Sequence, residues 1–305
     1  MQHHDIRWLP NGNILMLVVE KKSYAQVLTA GFDPSKLNPE IAQKGYMLPD
    51  YIVEIEPSYP VGVTVVWEWH VWDHLIQDYD AAKSNYGIVN AHPELIDCDG
   101  DRRMLPLFWN HMNSIDYNPA LDQIVVSVRG NSEAWVIDHS TTTAQAAGHI
   151  GGNSGKGGDL VYRWGNPLTY GAGTINDRKY FEQHDVEWVR SDCPGAGDLM
   201  CYNNGLGRNP NYSTVDEITP PVDSSGNYTI VPGGCLWPCQ FHVELSGQSS
   251  GFTILREHLG STTAPERKYP DLRRRAWLFY RSDRCRATCV EIYLPGRRSR
   301  SPDTG

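Results

Sequence analysis

The chain has 305 residues and a formal net charge of −9, so it is long enough for one large domain or two ordinary ones. The acidic balance argues against nucleic acid as the main partner, because nucleic-acid binding needs a basic surface. No apolar run approaches the roughly 20 residues that a membrane-spanning helix needs, and no signal-peptide pattern opens the chain. Because a motif begins at the third residue, we expect an upstream segment to be missing.

Short β-type runs separated by turn residues dominate the first 234 residues. A tight turn is predicted at residues 9–13, since Asn and Gly tolerate positive φ. Strands are predicted, in chain order, over residues 14–20, 61–72, 123–129, 134–138, 160–164 and 199–202. One helix is predicted at residues 72–83 from its apolar spacing, and the Gly-rich residues 148–159 are expected to form a mobile loop. The pattern predicts an all-β fold, a β-propeller with divergent blades, with a sandwich as the alternative.

The composition changes at about residue 235. Residues 1–234 contain 15 Lys and Arg against 29 Asp and Glu, a balance of 15 − 29 = −14, whereas residues 235–305 contain 12 against 7, a balance of 12 − 7 = +5. One interpretation of the second segment is a basic tail for nucleic acid or a membrane. Another is a zinc site built from four cysteines: Cys235, Cys239, Cys285 and Cys289.

A shift of the reading frame explains this segment better. Read one nucleotide later, residues 264–270 can encode Leu-Pro-Asn-Gly-Asn-(Thr or Ile)-Leu, which repeats the in-frame turn and strand at residues 9–15. In the same frame, residues 258–274 can encode ISGAQRLPNGNTLICDG. We therefore hypothesise a frameshift close to Gly234. On this hypothesis residues 1–234 form the domain, and residues 235–305 are an out-of-frame tail without functional residues.

Three histidines at the heads of similar strand-like units are the strongest functional signal. The units read HHDIRW from His3, HMNSID from His111 and QHDVEW from Gln183. A repeat fold that directs equivalent positions to one axis would gather these side chains into one pocket, together with Arg129. Such a pocket suits sulfate or phosphate, because Arg matches a tetrahedral oxyanion and His exchanges protons near neutral pH. The histidines alone could instead bind a metal, or each could satisfy a strand-end hydrogen bond.

These segments resemble the bacterial arylsulfotransferase family, whose members use an aryl sulfate as the donor. The resemblance covers about residues 3–233 and rests on HHDIRWLPNGN, VWEWHVWDHL, QHDVEWV and, most specifically, the block of residues 109–138. It implies a six-bladed β-propeller in which a channel histidine takes the sulfuryl group and passes it to a phenol in a ping-pong cycle. Here the propeller is expected to be truncated at both ends, without the family's amino-terminal β-domain and its closing blades.

From the positions of the matching motifs, the resemblance implies that His184 is the sulfated nucleophile. It implies that His111 and Arg129 bind the sulfuryl oxygens. It implies that His4, or else His3, is the remaining channel histidine. Two residues are assigned to substrate binding: His3 and Asn113. Small phenols and aryl sulfates are the expected partners, with neither a cofactor nor a metal. A homodimer and a periplasmic or secreted location are expected by resemblance alone.

Two other functions stay open at this point. The chain could be an inactive propeller fragment, or a module that binds anionic aromatic ligands. Turnover of an aryl sulfate distinguishes the enzyme from both, since a binding module predicts binding without reaction.

Overall fold

A computed structural model describes residues 1–100 and 106–229, together with the backbone of four strands between residues 240 and 292. Strands far outnumber helices in these residues, which confirms the predicted all-β class. Among the described helices, none has both the length and the apolar character needed to cross a membrane.

The strands are short, and the longest has nine residues. Residues 1–100 contain β1 (Gln2–Trp8), β2 (Ile14–Val19), β3 (Lys22–Ser23), β4 (Tyr46–Met47), β5 (Asp50–Pro57), β6 (Val63–His70), β7 (Leu75–Ile76) and β8 (Ile96–Asp97). Residues 106–229 contain β9 (Met112–Asn118), β10 (Gln123–Val128), β11 (Glu133–Asp138), β12 (Tyr162–Trp164), β13 (His184–Trp188), β14 (Leu199–Asn203) and β15 (Ser213–Thr219). The carboxy-terminal segment contains β16 (Gln240–Gln248), β17 (Gly251–Leu255), β18 (Ala276–Arg281) and β19 (Ala287–Ile292).

Three consecutive antiparallel sheets form the body of the protein. Their strand orders are β1-β2-β5-β6, β12-β11-β10-β9 and β13-β14-β15-β16-β17. Tight turns close the hairpins, as predicted at residues 9–13, where the backbone N–H of Leu9 bonds the carbonyl of Asn13 at 2.9 Å. In each sheet the strand that comes first in the chain stands at an edge. Three two-stranded ladders complete the described strands: β3-β4, β7-β8 and β18-β19.

The edge strands β1, β9 and β13 lie next to one another, and carboxylates of one strand accept backbone N–H groups of the next. Asp5 Oδ2 accepts from Ile115 N at 3.0 Å, and Asp116 Oδ2 accepts from Trp188 N at 2.9 Å. An edge strand otherwise leaves such groups unpaired, which is costly once they are buried. These bonds hold the first strands of the three sheets together. The sheets of the described residues do not close into a ring.

Apolar cores fill the two spaces between neighbouring sheets. Side chains on successive residues of a strand point to opposite faces, and β10 uses both faces. Val126 belongs to the core shared with the first sheet, whereas Val125 belongs to the core shared with the third. The largest buried side chains of the first core include Trp69, Trp109 and Trp135. The second core includes Tyr162, Trp188 and Leu199. The second sheet is therefore apolar on both sides.

The helix predicted over residues 72–83 is wrong. The chain makes a single 3-10 turn at Val71–His74 and then enters the short strand β7. Beyond it, the side chain of Gln77 accepts the backbone N–H of Asp80 at 2.7 Å. Polar side chains that bond the nearby backbone in this way offer it an alternative to helical hydrogen bonds.

Three short α-helices were not predicted, although each carries an N-terminal capping signal. They are α1 (Tyr24–Thr29), α2 (Pro39–Lys44) and α3 (Thr143–Ala146). Ser23 and Gln26 form a capping box at α1, and Asn38 caps α2 directly before a proline. Each helix is only four to six residues long, so its apolar periodicity is too short to detect. Further 3-10 turns lie at Val89–Ala91, Pro167–Tyr170 and Ile175–Asp177.

The Gly-rich residues 148–159 form the predicted loop, and backbone hydrogen bonds within the loop hold its two ends together. Gly157 N bonds Gly151 O, and Gly158 N bonds Gly148 O, both at 2.9 Å.

Residues 235–305 lie largely outside the described residues, including the cysteines of the zinc interpretation, whose side chains are not described. The described part adds β16 and β17 to the third sheet. The domain boundary at residue 234 and the frameshift stay predictions.

Candidate active site

The three adjacent edge strands each begin with a distorted backbone, and we call these segments the strand heads (residues 3–5, 111–113 and 182–185). His4, His111 and Glu182 have φ values of 53°, 54° and 53°. The pairing register breaks at each head, as at a β-bulge. Bulges re-aim side chains and are frequent beside active sites. Left-handed backbone at a non-glycine residue costs of order 1–3 kcal/mol, and such residues cluster at functional sites.

The histidines of the first two strand heads form a contiguous cluster. Nδ1 of His3 lies 2.7 Å from Nδ1 of His4, and the ring centroids of His4 and His111 are 5.0 Å apart. At 2.7 Å one of the two ring nitrogens must carry a proton that the other accepts. The structure therefore brings together three of the predicted site residues.

Asp50 supports this cluster, and it was not among the predicted site residues. Its carboxylate is buried, with Oδ1 2.8 Å from Nε2 of His3 but out of line for a hydrogen bond. Oδ2 accepts the backbone N–H of Met112 at 3.1 Å. Asp50 begins β5, so a carboxylate of the first sheet connects the first and second strand heads.

Burial keeps two of the clustered histidines neutral. The pKa of His111 is lowered to about 4, first by burial, then by the positive charge of Arg129 and by the neighbouring histidines. Burial also lowers the pKa of His4, with the adjacent His3 as the next cause. The charge of His184 also helps to lower the pKa values of His4 and His111, so His184 is close enough to influence both imidazoles. Near neutral pH, His4 and His111 each offer one N–H and one lone pair.

Arg129 lies beside His111 through the backbone, because its N–H bonds the carbonyl of His111 at 3.2 Å. Its guanidinium forms an ion pair with the carboxylate of Glu182 in the third strand head. The two side chains are 33% and 31% exposed, so solvent and small anions can reach both. Sequence reasoning missed Glu182, because its partner is more than 50 residues away in the chain.

A cleft of about 350 Å³ opens beside His111 and Arg129. Pro106, Leu107 and Phe108 give it an apolar wall, and the region of α2 forms the rest. Small-molecule sites typically combine an apolar lining with a few polar groups that fix orientation. The cleft joins this apolar wall to His111 and Arg129, with the charged Glu40 and Lys44 of α2 on its other side.

His184 begins β13 and is oriented by Asn204, which follows β14. Its Nδ1 lies 2.7 Å from Oδ1 of Asn204. An amide oxygen can only accept, so Nδ1 carries the proton and Nε2 keeps its lone pair. The sequence predicts His184 as a site residue but does not predict Asn204, which lies in the segment NNGLGR (residues 203–208).

Asn113 is buried beneath the third strand head. Its Nδ2 donates to the carbonyl of Gln183 at 2.9 Å, next to His184. Gln183 is fixed in turn by its own amide, which donates to the carbonyl of Glu133 at 2.8 Å. Oδ1 of Asn113 has no hydrogen-bond partner among the described residues. The structure thus makes Asn113 a buried support of the third strand head, and its assignment to substrate binding stays a prediction.

The comparison with family models confirms the resemblance read from the motifs. A family model described as Arylsulfotransferase (ASST) matches residues 1–229, which is 229 of 305 residues. The matched span contains all six predicted site residues: His3, His4, His111, Asn113, Arg129 and His184. No curated protein matches the chain. Since the model covers most of the chain, the protein belongs to the arylsulfotransferase family.

Proposed function

We propose that this protein moves a sulfuryl group from an aryl sulfate to a phenolic acceptor, with His184 as the nucleophile. The observation that carries the proposal is the 2.7 Å hydrogen bond from Nδ1 of His184 to Oδ1 of Asn204. In the neutral imidazole this bond places the proton on Nδ1 and the lone pair on Nε2, which is the tautomer that a nucleophilic imidazole needs. The neutral His111 and the charged Arg129 supply donors for the sulfuryl oxygens.

The cycle has two half-reactions. In the first, Nε2 of His184 attacks sulfur, the bond from sulfur to the aryl oxygen breaks, and the phenol leaves with the electron pair and takes up a proton. In the second, the acceptor oxygen attacks the sulfur of the sulfohistidine. The N–S bond then breaks, its electron pair returns to Nε2, and the proton of the acceptor passes to a base. His4, kept neutral by burial, is suited to accept the proton of the acceptor, and the imidazolium so formed can return that proton to the phenol that leaves in the next cycle.

We also propose that the three sheets are neighbouring blades of the six-bladed β-propeller that the resemblance implies. Each sheet is an antiparallel assembly of four or five strands with its first strand at an edge, and these edges lie together. In a propeller the innermost strands surround the central channel. The three strand heads would then face the channel from consecutive blades.

Turnover of 4-nitrophenyl sulfate with phenol as the acceptor tests the function. The 305-residue chain should release 4-nitrophenol, and His184→Asn should abolish the release. His92→Asn removes an exposed histidine outside the site and should keep it. Parallel lines in double-reciprocal plots support the ping-pong order, whereas intersecting lines contradict it.

The alternatives predict different outcomes of a calorimetric titration with 4-nitrophenyl sulfate. A binding module for anionic aromatics would show saturable binding without nitrophenol release. An inactive fragment would show neither. Release that survives in His184→Asn would contradict the role of His184 and leave the family assignment untouched.

A further inference from the structure

We propose that His74, His149 and Asp159 form a binding site for a divalent transition-metal ion, with Zn²⁺ as the best fit. Each of the three offers one ligand atom, and these atoms lie within 4.8 Å of one another. None of the three belongs to the strand heads. The site would fix the Gly-rich loop to the 3-10 turn that follows β6.

His74 is the buried anchor of this site. Its ring stacks on Trp69, with centroids 5.4 Å apart and planes 9° from parallel. Its Nε2 lies 2.9 Å from the carbonyl oxygen of Ala146, which can only accept, so Nε2 carries a proton. Nδ1 is then the nitrogen directed at Oδ1 of Asp159, 2.8 Å away. Histidines that bind metals almost always donate their other N–H to such a partner.

His149 directs a second nitrogen at the same oxygen. Its Nδ1 lies 2.7 Å from Oδ1 of Asp159. Two imidazoles and one carboxylate are ligands that Zn²⁺ takes, with water in an open position. Bonds of about 2.0–2.1 Å in a tetrahedral site set ligand atoms about 3.3 Å apart, so binding requires these atoms to separate by about half an ångström. His149 is exposed on a loop and can make this adjustment.

The loop that carries two of the ligands packs closely against the third. A Cβ at Gly158 would lie 2.0 Å from the carbonyl oxygen of Ala146 and 2.8 Å from Cε1 of His74, so only glycine fits. Trp69 Nε1 donates to the carbonyl of Gly158 at 2.6 Å and fixes this approach. His149 also lines a cleft of about 710 Å³. An ion held there would be reachable from solvent and could complete its coordination with water.

His139 provides a comparison, because its two ring nitrogens are satisfied by hydrogen bonds alone, without a metal ion. Its Nδ1 faces Asp122 and its Nε2 faces Glu54, each at 2.8 Å, so two protons satisfy two separate carboxylates. At His74 one nitrogen bonds a carbonyl, while Nδ1 of His74 and Nδ1 of His149 converge on one carboxylate oxygen of Asp159. A cation between the two imidazoles and the carboxylate accounts for this convergence.

Titration of the metal-free 305-residue chain with Zn²⁺ against a chromophoric chelator tests the proposal. A saturable site is expected. His149→Gln, at an exposed position, should weaken its affinity more than about 100-fold, because losing only an outer hydrogen-bond partner of a ligand costs 10–100-fold. His92→Gln is the matched control, since its Nδ1 bonds Glu94 at 2.9 Å, and it should bind Zn²⁺ as the wild type does.

Two further readouts separate this site from a cysteine site and from a plain ion pair. The Co²⁺-loaded protein should lack the sulfur-to-cobalt charge-transfer band that thiolate ligands give. Zn²⁺ should raise the Tm of the wild type and of His92→Gln, but not of His149→Gln. A thiolate band, an unchanged affinity in His149→Gln, or no saturable binding would each overturn the proposal.

Discussion

The guanidinium of Arg129 and the carboxylate of Glu182 form an ion pair that joins the end of β10 to the third strand head. Arg129 is also the residue that our proposal assigns to the sulfuryl oxygens. A bound anion and Glu182 therefore compete for the same donors. Binding of the aryl sulfate would exchange one negative partner of Arg129 for another.

Removing this competitor should strengthen substrate binding. Glu182→Gln is expected to lower the KM for 4-nitrophenyl sulfate by up to about fivefold, since a partly exposed ion pair contributes about 0.2–1 kcal/mol. Arg129→Lys keeps the charge and loses the planar fork, so it should raise the KM. Steady-state kinetics on the two variants checks both directions, and an increased KM in Glu182→Gln would contradict the competition.

Asn204 should act on the rate through the orientation of His184. Asn204→Ala removes one hydrogen bond of about 1–1.5 kcal/mol, which corresponds to a loss in kcat of about tenfold. The KM for the aryl sulfate should change little, because Asn204 bonds the nucleophile and not the anion. A change confined to KM would argue against this positioning role.

The pKa of His111 can be followed directly by the NMR shift of its ring proton, assigned with His111→Asn. It should titrate with a pKa of about 4, because burial and the charge of Arg129 disfavour the imidazolium. Arg129→Gln removes a positive neighbour and should raise the pKa, though not to 6.5, since burial remains. The unfolded chain binds this proton near pH 6.5 and the native protein does not. Acidification from pH 6.5 towards 4 should therefore destabilise the native protein.

The Gly-rich loop should respond to substitution according to the space around each glycine. Gly157 and Gly155 have similar positive φ values of 62° and 73°. A Cβ at Gly157 would lie 2.4 Å from the carbonyl oxygen of Gly148, whereas a Cβ at Gly155 meets nothing within 4 Å. Gly157→Ala should therefore lower the free energy of unfolding by about 1–3 kcal/mol more than Gly155→Ala does. Urea denaturation measures the difference, and equal losses would contradict the close packing.

The frameshift hypothesis predicts a specific nucleotide sequence. The codons of residues 264–268, read one nucleotide later, should encode LPNGN. Sequencing of the genomic DNA around codon 234 checks this directly. If the shifted codons encode another sequence, the frameshift hypothesis is wrong and the basic carboxy-terminal segment is a genuine part of the protein.

The sequence predicted those parts of the site that depend on local patterns. His111 and Arg129 flank one hairpin, so their proximity follows from the β9-β10 pairing. Asp50 begins β5 and Asn204 follows β14, and the sequence does not identify either position as a neighbour of the histidines, so only the tertiary arrangement shows their role. The helix predicted over residues 72–83 failed for a related reason, because side-chain bonds to a loop backbone outweighed the periodicity.

The hydrogen bonds between edge strands have a consequence for how this protein folds. Asp5 completes the backbone hydrogen bonding of the second sheet, and Asp116 does the same for the third. The second and the third sheet therefore each depend on a side chain of the sheet before it, and either one formed alone would lack that partner for a backbone N–H. We expect neighbouring sheets to unfold as one cooperative unit, with hydrogen exchange at Ile115 and Trp188 reporting the separation of whole sheets and not local fraying.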